Sequence, residues 1–509
     1  MIMKCPKIMT MSTNKLNGFL LLLALAALPA CNADEDQFPV ASRQTRTAVS
    51  ENVAAISHNP VYAIGEKNSN GVYNAIPLTA TETEGLTLLN VTVRLPKAVT
   101  LTGISFIAPV GKAIGGGDTH IVFAEFRNAA GENYVELKAG NSINFTLPIA
   151  PVELAAGELA VHLHTTGGTL YETQANCTVM AGSTVALALD NFTAMSNQWL
   201  SLLDDATPLT ALSLPGTHDA ATGEGTTMSF GVTQSLTLQQ QWDAGIRVFD
   251  LRPGYKKVRK SMFKYVNELH IYHGVVETKI SFANAIKCLT SNLQAHPEEF
   301  AVVVMRFEND SPFYNDRNVW NSLMNAYLTN ELPAAYKIDY HPGLTLGDVR
   351  GKLLILSRDA YADRPATGGF ISGWSHSDAG TTGGVITSAT GMTAPLNVQD
   401  WYSVSDVNTK CNALCNFVRL SSAAETGRLT INHASGYTGS GTNSGILDNA
   451  AATQPTLFRY LTADDRSEGS AGIIMMDHAG VRSKKSGIKT YQVYGDLATQ
   501  AVIDNNFKY

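Results

Sequence analysis

The chain is short of charge, of cysteine and of long apolar runs. Only 16% of its 509 residues are charged, and 37 basic against 44 acidic side chains leave a net charge of −7. A chain without a basic excess lacks the electrostatic footprint of a nucleic-acid binder, so nucleic acid is excluded as the main partner. Beyond the N-terminus no apolar run is long enough to span a bilayer. Of the six cysteines, Cys5 and Cys31 fall in the N-terminal leader, leaving Cys177, Cys288, Cys411 and Cys415. Cys411 and Cys415 could bridge locally in an oxidising compartment. Metal binding by that pair lacks the second Cys/His pair that such a site needs.

What is present is apolar enough to fold: 44% of the residues are hydrophobic, which describes a globular protein and not a disordered one. At this length more than one core is expected. The N-terminus reads as a secretory leader. Lys4, Lys7 and Lys15 precede the apolar run Phe19 to Leu28, and Leu28-Pro29-Ala30-Cys31 closes it. That ending resembles a bacterial lipobox, which would make Cys31 the lipidated first residue of the mature chain; the alternative is a plain signal peptide with an incidental cysteine. Asp34, Glu35 and Asp36 follow. They resemble the surface-export signal of Bacteroidetes lipoproteins, or form a solvated acidic linker.

The pattern divides the chain into a leader (1–31), a polar tether (32–55), an all-β region (56–195) and an α/β region (196–509). In the β region Leu89, Val91, Val93 and Leu95 alternate with polar neighbours, as in a half-buried strand. Further strands are expected at Leu101 to Ile107, His120 to Phe126, Tyr134 to Leu137, Ser142 to Leu147, Leu159 to Thr165 and Thr184 to Leu189. Short strands with glycine turns between them argue a β-sandwich. It is similar to the fimbrillin-like sandwiches of Bacteroidetes lipoproteins, and a spacer or adhesive role is expected. His162 and His164 share one strand face with no carboxylate or cysteine pattern beside them, and read as a surface pair.

From about residue 196, strand-like runs alternate with helical stretches. That is the signature of a parallel sheet, and the remaining length suits a TIM-like (β/α) barrel. Eight strands are expected: Leu209 to Leu214, Ile246 to Leu251, Leu269 to Tyr272, Ala301 to Phe307, Leu353 to Ser357, Leu396 to Val398, Arg428 to Ile431 and Gly472 to Met476. Pro215-Gly216 is expected to stop the first. All eight lead into ionisable groups: His218-Asp219, Asp250 with Arg252, His273, Arg306 with Glu308, Arg358, Asp400 with Tyr402, Asn432-His433, and Asp477-His478. Any one such group is commonly an ordinary ion pair. Their concentration at strand ends, where barrel chemistry collects, points to a site. His270 lies three residues before His273 and so faces the opposite side of an extended strand. His433 and His478 read as structural. The lysine cluster Lys256-Lys257 to Lys264 reads as a solvated insert or as a surface that meets anionic lipid.

The motifs LPGTHDA, AGIRVFDLRP, HIYHG, VVVMRFEND, TLGDVRGKLLILSR, VQDWY and IIMMDHAG occur in this order from about residue 205 to 495. They resemble the X-region of bacterial phosphatidylinositol-specific phospholipase C. The resemblance implies cleavage of phosphatidylinositol, or of a glycosylphosphatidylinositol (GPI) anchor, by internal attack of the inositol 2-hydroxyl. The products would be diacylglycerol and inositol 1,2-cyclic phosphate. It implies His218 as base, His273 as acid assisted by Asp219, Arg252 on the phosphate oxygens, Asp477 holding His218, and Asp250 positioning Arg252 or His218. Arg306, Glu308, Arg358, Asp400 and Tyr402 would bind the inositol. No cofactor is expected, and no metal, because Arg252 stands where eukaryotic relatives place a calcium-binding carboxylate. The implied location is the bacterial outer membrane, lipid-anchored and surface-exposed, with a membrane surface as partner. Two alternatives remain: a metal-dependent phosphodiesterase acting on another glycerophosphodiester, and a non-catalytic surface-binding lipoprotein.

Overall fold

The computed structural model describes residues 61–63, 72–74 and 84–508, apart from short segments at 116–119, 129, 167–168, 229, 309–313, 377–381, 424–427, 440 and 464–468. The leader, the tether and Cys31 lie outside the described residues.

The C-terminal part is a closed barrel. Its strands are β1 (Leu214–Thr217), β2 (Val248–Leu251), β3 (Ala301–Met305), β4 (Leu353–Ser357), β5 (Gly369–Ser372), β6 (Thr382–Ser388), β7 (Thr393–Gln399), β8 (Leu429–His433) and β9 (Ile473–Met476), paired in that order, with β9 closing onto β1. Aliphatic runs such as Ala301-Val302-Val303-Val304-Met305 are buried on both faces, as strands between a barrel interior and a ring of helices must be.

The barrel departs from eight parallel strands in three places. The expected third strand, Leu269 to Tyr272, is outside it. That segment belongs to Tyr265–His273, the middle of a three-stranded antiparallel sheet with Pro253–Arg259 and Val276–Ser281. The stretch between Arg252 and His273 carries a turn and five lysines and arginines but no amphipathic helix that could serve as a parallel crossover. Between β4 and β7 the chain makes an antiparallel excursion through β5 and β6. Those strands are rich in Gly, Ser and Thr and give no apolar run to read. Finally, Leu209–Ala211 is a single 3₁₀ turn, and the first strand runs through Pro215-Gly216 rather than ending there. Gly216 is needed inside it, since a Cβ would meet Met475 Sδ at 2.6 Å.

The N-terminal part is a two-sheet sandwich. One sheet orders Val61–Ala63, Ile121–Arg127, Val99–Ile107, Ala160–Thr165, Thr169–Gln174 and Thr193–Ser196, with Val135–Leu137 attached to Val99–Ile107. The other orders Thr184–Leu189, Thr87–Arg94, Ser142–Ile149 and Val72–Asn74. Leu89, Val91 and Val93 from one sheet share a core with Ile104, Phe106 and Phe126 from the other. Edge-on contacts of Phe145 with Phe106 and Phe126, at centroid distances of 6.5 and 5.7 Å, add to it.

His162 and His164 are not a surface pair: both are buried. His164 Nδ1 lies 2.6 Å from Asp504 Oδ1, and its Nε2 2.7 Å from Ser105 Oγ. Asp504 ends the last helix, Gly495–Asp504. Lys508 then reaches Glu125 in the sandwich and donates to Leu461 O at 3.1 Å. The outer face of the sandwich sheet is thus covered by the end of the chain, which alternation within the strand could not reveal. Cys411 and Cys415 are free thiols on the helix Val407–Ala423, and burial pushes Cys415 up to about 11. Among the described residues no helix is long and apolar enough to cross a membrane.

Candidate active site

β1, β2 and β9 are neighbours, and their C-terminal ends carry the centre of the site. His218 follows β1, and its backbone N–H donates to Met476 O on β9 at 3.0 Å. Its Nδ1 lies 2.9 Å from Asp477 Oδ1 and its Nε2 3.2 Å from Asp219 Oδ2. Asp477 is fixed in turn, since Gly436 N–H donates to its Oδ2 at 3.0 Å. Gln234 donates to the carbonyls of His218 and Met476, both at 2.8 Å, locking the turn. The turn itself is left-handed at Asp219, with φ 44°. Asp tolerates that region better than most side chains.

Asp219 is the hub. Its carboxylate is buried and makes no well-formed hydrogen bond. What faces it is Arg252 Nε at 3.1 Å, His218 Nε2 at 3.2 Å and His273 Nε2 at 3.5 Å. Arg252 is clamped from three sides, by Asp219, by Asp250 (2.8 Å) and by Glu308 (2.7 Å). Burial opposes its charge, but the three carboxylates hold it firmly protonated. Burial also works against Asp250 and Glu308, yet Arg252 holds both below the carboxylate range, Glu308 at about 2. Glu308 Oε1 accepts from Gly274 N–H at 2.6 Å, tying Arg252 to the loop that follows His273. His273 Nδ1 sits 2.6 Å from Gly231 O.

Burial pulls the His218 imidazole down in pKa, but Asp219 and Asp477 together carry it up to about 9. The site therefore holds a strongly basic imidazole on a carboxylate shared with a second histidine, beside a fixed guanidinium. His270 turns away, with Nδ1 3.4 Å from Glu277.

The inositol set of the resemblance divides in two. Arg306 Nε lies 3.3 Å from Glu308, beside Arg252. Arg358 stacks on Trp374 with its guanidinium carbon 4.0 Å from the ring centroid, and its Nη1 is 3.8 Å from Asp400. Burial lowers Arg358 to about 10, with Arg252 and Arg306 adding to the effect. Asp400 accepts from Trp374 Nε1 at 2.8 Å and meets His376 Nδ1 at 3.1 Å. Burial opposes its ionisation, but His433, His376 and Arg358 hold it well below the usual range. Tyr402 is exposed, with the His376 ring edge-on at 4.6 Å.

Reading the sequence missed Trp374, His376, Gly231 and the buried Lys410. Trp374 and His376 leave no strand-end signal because they follow β5, only four residues long and too short to show a pattern. Gly231 could have been suspected from the Phe230-Gly231 pair after LPGTHDA. Lys410 donates to Gln399 Oε1 and Trp401 O, under the loop that carries Asp400. His478, expected to be structural, is buried with Nδ1 3.0 Å from Ser235 Oγ. His433 is nearer the chemistry, its ring centroid 5.9 Å from that of His218.

Ligand atoms of His218, Asp219 and Asp250 come within 4.8 Å of one another, close enough to surround an ion. Both carboxylates are, however, already engaged by Arg252. A divalent cation there would meet a guanidinium that cannot lose its charge. The residues present do not fit a metal.

Fold and site together define a TIM-like barrel with a two-histidine, arginine-clamped carboxylate centre. No family model matches the chain. It is 34% identical over 173 residues to a 1-phosphatidylinositol phosphodiesterase of Listeria monocytogenes, a match covering 32% of this chain and 49% of that protein. The chain thus spans about half the length of that relative. It is 22% identical over 330 residues to the protein of the same name from Staphylococcus aureus strain Newman, covering 63% and 97%. Among solved structures, the phosphatidylinositol-specific phospholipase C of L. monocytogenes superposes with a TM-score of 0.41 at 24% identity, over 60% of this chain and 97% of that one. That of S. aureus gives 0.46 at 21%, over 60% and 96%. The resemblance carried by the motifs is the one that these relatives bear in their names.

Proposed function

We propose that the barrel is a phosphatidylinositol-specific phospholipase C that works without a metal. The observation that carries this reading is Asp219, one buried carboxylate facing both histidines and Arg252. The attacking group is the substrate's own 2-hydroxyl, so proximity replaces an activated water. His218, held at Nδ1 by Asp477, takes the hydroxyl proton at Nε2. Arg252, fixed by Asp250 and Glu308, receives the negative charge on the non-bridging oxygens. His273 gives its proton to the departing diacylglycerol oxygen, with Asp219 supporting whichever imidazole is protonated. The products are diacylglycerol and inositol 1,2-cyclic phosphate.

Arg306, Glu308, Arg358 and Asp400 supply charged partners for the ring hydroxyls, and Tyr402 supplies a ring face. The chain is read as an outer-membrane lipoprotein anchored through Cys31 and facing outward, with the fimbrillin-like sandwich as spacer.

The test is release of water-soluble inositol phosphate from phosphatidylinositol vesicles in EDTA, by wild type and by His218→Ala. Cyclic phosphate from wild type alone supports the reading. Release that requires added Ca²⁺ would overturn the metal-free mechanism, and no release under any condition would overturn the activity.

A further inference from the structure

Two hairpins stand on the catalytic rim, and the tip of neither has a part in the chemistry above. The first leaves the barrel directly after Arg252 and returns at His273, pairing Pro253–Arg259 with Tyr265–His273 over seven rungs. At about 3.3 Å per residue its tip stands roughly 20 Å from its base. The base is buried, while the tip exposes Met262 at 71% and Phe263 at 90%. Arg259 braces the turn, donating to Ser261 O at 3.1 Å and Met262 O at 3.2 Å. Lys257, Arg259 and Lys264 surround it, and among the described residues none of them pairs with a carboxylate.

The second hairpin, Ser483–Ser486 with Lys489–Gln492, follows β9 and its Asp477. At its turn Ile488 is fully exposed. Lys484 and Lys485 precede the turn, and Lys489 pairs with Asp448 at 3.0 Å on the first turns of the helix Asn443–Leu461. β9, β1 and β2 are adjacent, so the two hairpins straddle the strand that delivers His218. The loop after His218 also exposes Met228 and Phe230.

An apolar tip costs hydration in water, and two such tips on one rim are the exception on a soluble surface. Each is ringed by lysine in a chain whose net charge is −7. That pairing of apolar tip and basic collar matches the boundary between acyl chains and anionic headgroups. We infer that the hairpins tipped by Met262-Phe263 and by Ile488 are a two-pronged docking surface for an anionic phospholipid bilayer, holding the mouth of the site on the membrane. The inference rests on the phospholipase reading for its purpose, but binding can be measured without turnover.

The experiment uses the chain from residue 31 with Cys31→Ser, the form that leader cleavage would leave but without its lipid. Sedimentation is measured with phosphatidylcholine vesicles and with vesicles containing 30% phosphatidylglycerol, a composition chosen to carry no substrate. Binding is expected only to the anionic vesicles and should weaken as salt rises. Phe263→Ser with Ile488→Ser, and separately Lys257→Glu with Lys264→Glu and Lys485→Glu, should each weaken it at least tenfold. Cleavage of a monomeric short-chain phosphatidylinositol should be unchanged in both. Equal binding by wild type and both variants would overturn the docking surface. Loss of monomeric turnover in wild type itself would instead strike the activity, leaving the binding result to stand alone.

Discussion

Nδ1 of His218 lies 2.9 Å from Oδ1 of Asp477, across the joint between β1 and β9. This bond fixes which imidazole nitrogen faces the site, and it adds to the basicity that brings His218 up to about 9. His218 must be unprotonated to accept a proton, so kcat/KM of the wild type should rise with pH toward that value. Asp477→Asn removes one of the two carboxylates that raise the pKa. The rising limb should then move to lower pH, while the plateau falls by about 10²- to 10⁴-fold because the favoured tautomer is lost. A pH–rate profile from 5 to 10 decides it: an unmoved limb removes Asp477 from this role.

Arg252 meets Asp219, Asp250 and Glu308 at the same time, which only a planar fork with several N–H groups can do. Arg252→Lys keeps the charge but cannot meet all three carboxylates at once, leaving buried carboxylates underpaired. kcat should fall by about 10²- to 10³-fold, the range for removing a transition-state donor. Wild-type turnover should be the same in EDTA as in Ca²⁺. Inhibition by the chelator would mean that the His218, Asp219 and Asp250 cluster holds an ion after all.

Gly231 accepts the Nδ1 side of His273 through its carbonyl, at φ 69°. A Cβ at this position would lie 2.9 Å from His273 Nδ1. Gly231→Ala should therefore displace the imidazole and strain the backbone by about 1–2 kcal/mol. The expected result is a loss of turnover of tenfold or more with a melting temperature only slightly lowered. A variant with unchanged kcat would show that His273 tolerates movement and is not the proton donor.

How far the sequence could be read depended on whether the signal was local. LPGTHDA and FDLRP carry their residues within one turn of a buried strand, so His218, Asp219, Asp250 and Arg252 stood out, and the structure brings them together. Strand alternation lets only one of His270 and His273 face inward, and the His273-Gly274 pair favours His273. Two kinds of feature were illegible. Trp374 and His376 reach Asp400 only through the antiparallel excursion of β5 and β6, whose glycine-rich strands give no periodic signal. His164 shared a strand face with His162, and nothing local says that a helix more than 300 residues later covers that face.

That covering helix gives the last prediction. Lys508 is buried against Glu125, and burial raises the Glu125 pKa despite the partner's charge. Both groups have left water, so the pair's net worth is small, while an orphaned member is expensive. Lys508→Met or Glu125→Leu alone should destabilise the protein by about 3–5 kcal/mol, the cost of leaving one buried charge unpaired. The double variant, apolar on both sides, should recover most of that loss. Urea unfolding of the four proteins measures it. Two independent, additive losses would mean that Lys508 and Glu125 do not depend on each other, and that the end of the chain is held to the sandwich mainly by the His164–Asp504 bond and its packing against Phe123 and Phe507.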